Sequence, residues 1–545
     1  MSERWYQQAV IYSVDVETFQ DSNGDGGGDL RGLISRLDYL ARLGVTCLWL
    51  SPIHPTPNRD DGYDVADYYG IDPRLGSLGD FVELVHQCEN RGLRVMIDLV
   101  VNHTSDEHPW FQAARSDPDS PYRDWYIWSP TEPANADDGE VFPGYQRGTW
   151  SRDAEAGSWY HHRFYDFQPD LNWANPEVRA EIGRVVAFWL QLGVSGFRMD
   201  AAPFTIEEIH PDSADRRFAF EWLEDLRDHV AWRRGDAIVL AEANVRRELI
   251  NEFYGPRGSR LQMLFNFLLN PRTFLALARS SAVPLAAAIQ ASPAIPANCA
   301  WATFLRNHDE VDLSQLQDSE RADVFAAFGP DQNMQLYGRG IRRRLAPMLG
   351  NDRRRIELAY LLQFSLPGTP VLRYGEELGM GDDLSLPERN SIRTPMQWSA
   401  AAQGGFTSSD KPVRPVISKG GYGYRKVNVT TQAADPASLL SWFERVLRTL
   451  RECPEFGIGT ATVLDPKSDA VLAVRYDAPC GSVLAVLNLA DQPVTVDLPP
   501  AGKLTEPPLD VLGNRGYPAL KRDLTGIELD GWGYRWIRLG RTLGT

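Results

Sequence analysis

The chain has 545 residues, 43% hydrophobic and 24% charged, a globular composition with length for several domains rather than for a disordered or fibrous protein. Its 56 Lys and Arg against 73 Asp and Glu leave a formal net charge of −17, which argues against nucleic acid or an anionic membrane as partner because both repel that field. Five cysteines (Cys47, Cys88, Cys299, Cys453, Cys480) cannot all pair and lack zinc-like spacing, and the N-terminus lacks a secretion signal's basic start and apolar run, so a reducing cytoplasm is the expected compartment.

The first expected strand is 10–14. The segment Asp21-Ser22-Asn23-Gly24-Asp25-Gly26-Gly27-Gly28-Asp29 follows, with oxygen donors at alternate positions around a glycine-rich turn, as in a calcium loop. The expected metal ligands are Asp21, Asn23, Asp25 and Asp29 with the carbonyl of Gly27; Gly32 stands where an EF-hand has its bidentate Glu, so the loop is not a true EF-hand. Further strands are expected at 45–50, 95–101, 196–200, 238–242, 263–267, 300–305 and 371–374. Apolar-periodic stretches at 33–43, 81–91, 178–192, 218–230, 275–290 and 353–364 are each long enough for a helix. This alternation predicts an α/β fold, a parallel (β/α)8 TIM barrel with its chemistry where the strands end.

Two segments break the rhythm. Residues 104–171, rich in Pro, Asp, Trp and Tyr, read as a subdomain inserted after strand 3, and 375–432 as a polar excursion before a helix at 437–451. After Gly459, short alternating runs at 471–476, 482–488, 494–498 and 534–539 predict a C-terminal antiparallel β-sandwich. The expected domains are a barrel of 1–103 and 172–458, the insertion 104–171 and the sandwich 459–545. His161 and His162 read as surface or hydrogen-bonding residues. The arginines at 342–344 and 353–355, with Asp352 and Glu357 nearby, read as a paired, solvated helix face.

Three expected strand ends carry an acid: Asp200 after Gly196-Phe197-Arg198-Met199, Glu242 after Ile238-Val239-Leu240-Ala241, and Asp309 after Arg306-Asn307-His308. A carboxylate near apolar walls is costly unless it is paired or used, and each alone reads equally as a helix cap. Together they suit glycoside cleavage, which needs one carboxyl to attack and another to hold a proton for the leaving oxygen. Arg198, two residues before Asp200 and so on the same strand face, is expected to keep that acid ionised, while the apolar run before Glu242 is expected to raise its pKa.

The pattern Asp98-Leu99-Val100-Val101-Asn102-His103, then Gly196-Phe197-Arg198-Met199-Asp200, Glu242 and Asn307-His308-Asp309 resembles the strand-end regions of the α-amylase family of glycoside hydrolases and transglycosylases. The resemblance implies Asp200 as nucleophile, Glu242 as general acid/base and Asp309 as the third acid that grips the sugar hydroxyls. It also implies a glucose subsite of Tyr63, Asp64, His103, Arg198 and His308. Gln168-Pro169-Asp170-Leu171-Asn172 is similar to a motif of oligosaccharide α-glucosidases and trehalose synthases, with Phe164 shaping the pocket. The stretch Glu388-Arg389-Asn390-Ser391-Ile392-Arg393-Thr394-Pro395 looks like the trehalose synthase branch, and implies that Arg393 pairs with Asp64. Resemblance to related α-glucosidases implies a structural Ca²⁺ or Mg²⁺ in the loop 21–29, and Asn102 and Asp170 resemble ligands of a second calcium site in the wider family, with a structural hydrogen-bonding role as the alternative. No organic cofactor is implied.

The expected substrate is a small α-glucoside such as maltose or trehalose, isomerised through a covalent glucosyl-Asp intermediate inside a lidded pocket. The alternative is an α-glucosidase that lets water attack the same intermediate; a remote one is an inactive binding subunit. Ala202, where trehalose synthases carry Val, and the acidic Asp15 and Glu17 depart from the branch on what is expected to be the acceptor side. A homo-oligomer is left open.

Overall fold

The computed structural model describes residues 4–210, 217–499, 504 and 506–539, so parts of the expected C-terminal sandwich, 500–503, 505 and 540–545, lie outside the described residues. Eight parallel strands close into a barrel in chain order: β1 (Ile11–Val14), β2 (Cys47–Leu50), β3 (Arg94–Leu99), β4 (Gly196–Met199), β5 (Ile238–Ala241), β6 (Met263–Phe265), β7 (Ala300–Thr303) and β8 (Thr369–Arg373). Their two-residue period divides two cores. Ile11, Trp49, Met96, Leu240, Phe265 and Ala302 fill the barrel, whereas Val10, Leu48, Ile97, Phe197, Val239 and Leu264 pack against the helices. Glycine at 196 permits β4 to approach β5, since a Cβ there would lie 2.8 Å from the Ile238 carbonyl oxygen.

The helices follow the expected periodicity with two breaks. The stretch 33–43 divides into Leu30–Ser35, capped by the Asp29 carboxylate accepting from the Gly32 amide, and Leu37–Leu43. The stretch 275–290 divides at Ser280, whose φ of 50° ends Leu269–Arg279 before Val283–Ala291 begins with Pro284 in its first turn.

Between β3 and β4 the chain forms a helix, Pro109–Ser116, and an antiparallel three-stranded sheet of Trp128–Ser129, Trp159–His161 and Trp150–Arg152. A second excursion follows β7: the helix Asp318–Phe328 and a sheet of two-residue strands, Val311–Asp312, Gly340–Ile341 and Gln335–Leu336. Strands this short carry no alternation, so the sequence reading had no signal for them. At the C-terminus, a five-stranded antiparallel sheet packs Val471, Leu484 and Ile537 against Val496, Ile527 and Leu529 of a two-stranded sheet, which is the expected sandwich. It docks on the barrel through Tyr476 Oη and Trp536 Nε1, which donate to the backbone oxygen and hydroxyl of Ser365 at 2.6 and 2.7 Å.

The arginines at 342–344 are not a solvated face. Arg344 is fully buried against Glu376 and the Tyr374 carbonyl, and Arg342 donates to the carbonyls of Asn333, Leu384, Leu386 and Glu388, organising the loops beneath the site. The group at 353–355 fits the paired face better, with Arg353 on Glu357 and Arg354 on Asp352. No helix among the described residues is long and apolar enough to cross a membrane.

Candidate active site

Asp98 on β3 aligns in register with Arg198 on β4, so both side chains enter the barrel interior near its C-terminal mouth. Trp49 from β2 donates its indole N–H to Asp98 at 3.0 Å. Arg198 is 1% exposed and contacts three carboxylates: Asp98 at 2.8 Å, Glu242 at 2.6 Å and Asp200. Asp200 and Glu242 follow β4 and β5 directly, and one guanidinium holds both. Both carboxyls therefore face one cation at the mouth of the barrel, where a glycosidase places its acid pair. Ala201, next after Asp200, has φ 46°, a left-handed conformation that is costly for a residue with a Cβ and turns the chain into the short helix Ala202–Thr205.

Burial sets the proton affinities. It pushes the Asp200 carboxyl up to about 6 although Arg198 pulls the other way, and it pushes Glu242 up to about 7 with Asp200 and Asp309 adding to the rise. Burial also lowers His308 to about 4, so its ring is neutral at pH 7. For Asp309 burial is outweighed by His308, Arg389 and Arg393, and its carboxyl stays well below the usual range.

These acids line a cavity of ≈ 460 Å³ together with Tyr63, His103, Phe164 and His308. Tyr63 stacks on His308 with ring centroids 5.4 Å apart, and its hydroxyl meets His308 Nε2 at 2.8 Å. His103 Nε2 lies 3.0 Å from the Tyr63 carbonyl oxygen, and Phe164 meets the His103 ring edge-on. Phe142 and Phe164 from the insertion, Glu310 and Arg339 from the excursion after β7, and Arg389 from 375–432 complete the walls.

Four expected site residues stand behind the wall. Arg198 lies beneath the acids, and Gln168 donates to Asp60 at 3.0 Å. Asp64 is fully buried and points back into its own turn, accepting from Thr56 Oγ1, the Arg59 amide and the Asp60 amide. The expected pairing of Arg393 with Asp64 is therefore corrected: Arg393 pairs with Asp61 and, at 3.0 Å, with Asp309, while Asp64 pairs with Arg59 at 3.7 Å. The wall positions that the sequence reading missed include Phe142, Glu310 and Arg339 as well as Asp60 and Arg389, whose guanidinium reaches Asp309 at 2.8 Å and Asp60 at 3.3 Å. Arg389 stood in the motif that pointed to Arg393, and Asp60 two residues before Gly62 and three before Tyr63. Ala202 is buried and, like Asp15 and Glu17, does not line the cavity; Glu17 instead pairs with Arg74 at 2.5 Å.

In the loop 21–29, Asp21 accepts from the amides of Asn23, Gly24 and Gly26 and from the Thr407 hydroxyl. Asp29 accepts from Ser22 and caps a helix, while Asn23 and Asp25 are exposed. The donors are all oxygens, the chemistry a hard cation requires, and these turns pre-shape the loop. Among the described residues no group of three or more His, Cys, Asp or Glu is arranged to hold a metal ion. Asp170 accepts from Asn102 at 2.9 Å and from the Arg163 amide at 3.1 Å, and pairs with His161 at 2.9 Å, so hydrogen bonds take up the second expected pair. His161 is thereby buried rather than superficial.

Residues 12–327 and 338–456 match the alpha amylase catalytic domain, and 481–538 match the sucrose hydrolase-like C-terminal domain. The chain is 41% identical to a trehalose synthase of Pimelobacter sp. (strain R48), covering 98% of this chain and 96% of that protein. It is also 41% identical to the trehalose synthase/amylase TreS of Mycobacterium tuberculosis (strain CDC 1551 / Oshkosh), covering 98% and 90%. Among solved structures, a point mutant of the trehalulose synthase MutB in complex with Tris superposes with a TM-score of 0.78 at 27% identity, covering 98% of this chain and 100% of that one.

Proposed function

We propose that this chain, which belongs to the α-amylase family, is a retaining glucosyl-transferring enzyme that interconverts maltose and trehalose within one closed pocket. The observation that carries this reading is the single guanidinium of Arg198 spanning Asp200 and Glu242 at the floor of a cavity of disaccharide scale.

Glu242 in its protonated form gives its proton to the glycosidic oxygen as an oxygen of Asp200 attacks the anomeric carbon, so the glycosidic bond breaks and a glucosyl ester forms. Arg198 neutralises the attacking carboxylate and swings its charge balance toward Glu242 once that acid has lost its proton. Asp309, held ionised between Arg389, Arg393 and His308, accepts hydrogen bonds from the sugar hydroxyls and stabilises the positive charge that develops on the ring. The freed glucose turns in place; its anomeric hydroxyl gives a proton back to Glu242 and attacks the anomeric carbon of the glucosyl ester, breaking that carbon's bond to Asp200 and releasing the carboxylate. Two inversions retain the α configuration.

Water attacking the same ester would give glucose instead. The name trehalose synthase/amylase borne by one relative keeps this hydrolytic branch as the second reading. Walls supplied by the insertion and both excursions support exclusion of bulk water during the turn of the glucose.

The loop 21–29 is proposed to hold Ca²⁺ or Mg²⁺ through Asp21, Asn23, Asp25, Asp29 and the Gly27 carbonyl, in a structural role. Five free thiols, four of them buried, suit a reducing cytoplasm.

Proton NMR of maltose and, separately, of trehalose incubated with the enzyme tests the reading. Interconversion of the two disaccharides ahead of glucose release is expected; glucose as the main early product from both would overturn it in favour of hydrolysis.

A further inference from the structure

Asp61 sits one residue from the cavity wall and does not line it, yet two arginines tie it into the site. Its φ is 50°, a left-handed conformation in the turn that leads to Gly62, at φ 90°. Its carboxylate is gripped on both oxygens, Oδ2 by Arg393 and Oδ1 by Arg414. Arg393 extends inward, donating to Asp309 Oδ1 at 3.0 Å and to the His308 carbonyl at 2.8 Å. Arg414 extends outward to Asp15 at 3.6 Å and Glu17 at 3.8 Å, in the loop after β1. Both arginines come from 375–432, and Asp61 comes from the loop after β2, so this one carboxylate joins three loops in a chain of ion pairs that ends on the third acid.

From this chain of contacts we infer that Asp61 is a positioning residue for glucosyl transfer, acting through Arg393 to fix Asp309 in the orientation that grips the sugar. The inference rests on the proposed glucosyl-transfer reading for its consequence, though the contacts stand independently of it. Without Asp61, Arg393 and Arg414 face each other with no anion between them, and like charges in a buried site move apart. Arg393 then loses the anchor that sets its distance to Asp309, while Arg389 keeps Asp309 ionised. Charge remains on the third acid and its aim is lost, a change felt in the transition state more than in ground-state binding.

The turn itself offers an alternative role: Asp tolerates a positive φ, so the residue could serve the backbone alone. Asp61→Gly separates the two roles, since glycine accepts this φ at no steric cost while removing the carboxylate. Asp61→Asn removes only the charge.

The test is steady-state turnover of maltose and of p-nitrophenyl α-glucoside by the parent, Asp61→Gly, Asp61→Asn, Arg393→Gln and Asp61→Asn/Arg393→Gln, with melting temperatures measured alongside. The expected result is a fall in kcat of about 10-fold or more for both Asp61 variants at nearly unchanged KM. The glycine variant should melt no lower than the asparagine one, and the double variant should lose no more than Arg393→Gln alone. Parent-level kcat in Asp61→Gly, or losses that multiply in the double variant, would overturn the inference. A parent that hydrolyses the chromogenic substrate but does not isomerise maltose refutes the isomerase reading and leaves the relay to be judged on that substrate; a parent inert on both overturns the two together.

Discussion

Arg389 Nη1 lies 2.8 Å from Asp309 Oδ1, and the same guanidinium reaches Asp60 Oδ1 at 3.3 Å, so one side chain from the 375–432 excursion joins the third acid to the wall of the sugar pocket. Because it touches both, its loss should affect binding and turnover together. Arg389→Ala is expected to lower kcat/KM for maltose by about 10²–10³-fold, as removal of a donor aimed at the reacting centre does. Steady-state kinetics checks it, and a loss below about 3-fold contradicts the role.

Asp60 and Asp64 separate a lining role from a structural one. Asp60→Asn should raise KM for maltose and leave the melting temperature nearly unchanged. Asp64→Ala leaves three donors in its turn unpaired, each worth roughly 1–3 kcal/mol when buried and unsatisfied, and should lower the melting temperature while sparing KM. Thermal melts and kinetics on the pair distinguish them; the reverse pattern would restore Asp64 to the pocket.

The pH profile follows from the two reacting acids. Asp200 must be ionised, so kcat/KM should rise through about 6, and Glu242 must be protonated, so it should fall again above about 7, a narrow bell. Arg198 lowers the Asp200 carboxyl, so Arg198→Gln should move the acid limb to higher pH as well as lower the maximum. An acid limb that moves down or stays in place contradicts the assignment.

Burial of Glu242 has a stability consequence whose sign is fixed. Its folded-state pKa lies above its ordinary value, so ionising it costs the folded protein more than the unfolded chain. The folded state loses stability as pH rises from about 4.5 toward 7, and the loss is complete above that. Glu242→Gln should therefore melt higher than the parent at pH 8, with the gap closing toward pH 4.5, and should be inactive on maltose. Equal melting at both pH values would show that burial is not what raises this acid.

Ca²⁺ binding to the loop 21–29 would stabilise the folded chain by mass action, about 2.7 kcal/mol at 100 times the dissociation constant. Chelation should lower the melting temperature, Ca²⁺ should restore it, and Asp25→Ala should abolish the response with kcat intact. A melting temperature indifferent to chelator argues that the loop is held by its own hydrogen bonds.

Much of the architecture was legible because it obeys short periods. The eight barrel strands show as short apolar runs, and two-residue alternation from Arg198 to Asp200 and from Leu240 to Glu242 places both acids at the mouth. What escaped lies in turns. Whether Asp60 or Asp64 faces the sugar depends on the reversals at Asp61 and Gly62, both with positive φ, which no alternation encodes. The same holds for Arg389 and Arg393, four residues apart in irregular 3₁₀ turns, and for the two-residue strands after β7. Burial of the arginines at 342–344 was hidden for another reason: Arg342 is held by backbone carbonyls, which carry no sequence signature, and Arg343 and Arg344 by Asp382 and Glu376, acids distant in the chain.

The shared grip of Arg198 on two carboxyls is most directly tested by trapping the glucosyl ester with 5-fluoro-α-glucosyl fluoride and mapping the modified peptide by mass spectrometry. Label on Asp200, persisting longer in Glu242→Gln because fluoride leaves without help from an acid while release of the ester needs the base, is the expected result. Label on Glu242 or Asp309, or inactivation without any covalent adduct, would contradict Asp200 as the attacking acid.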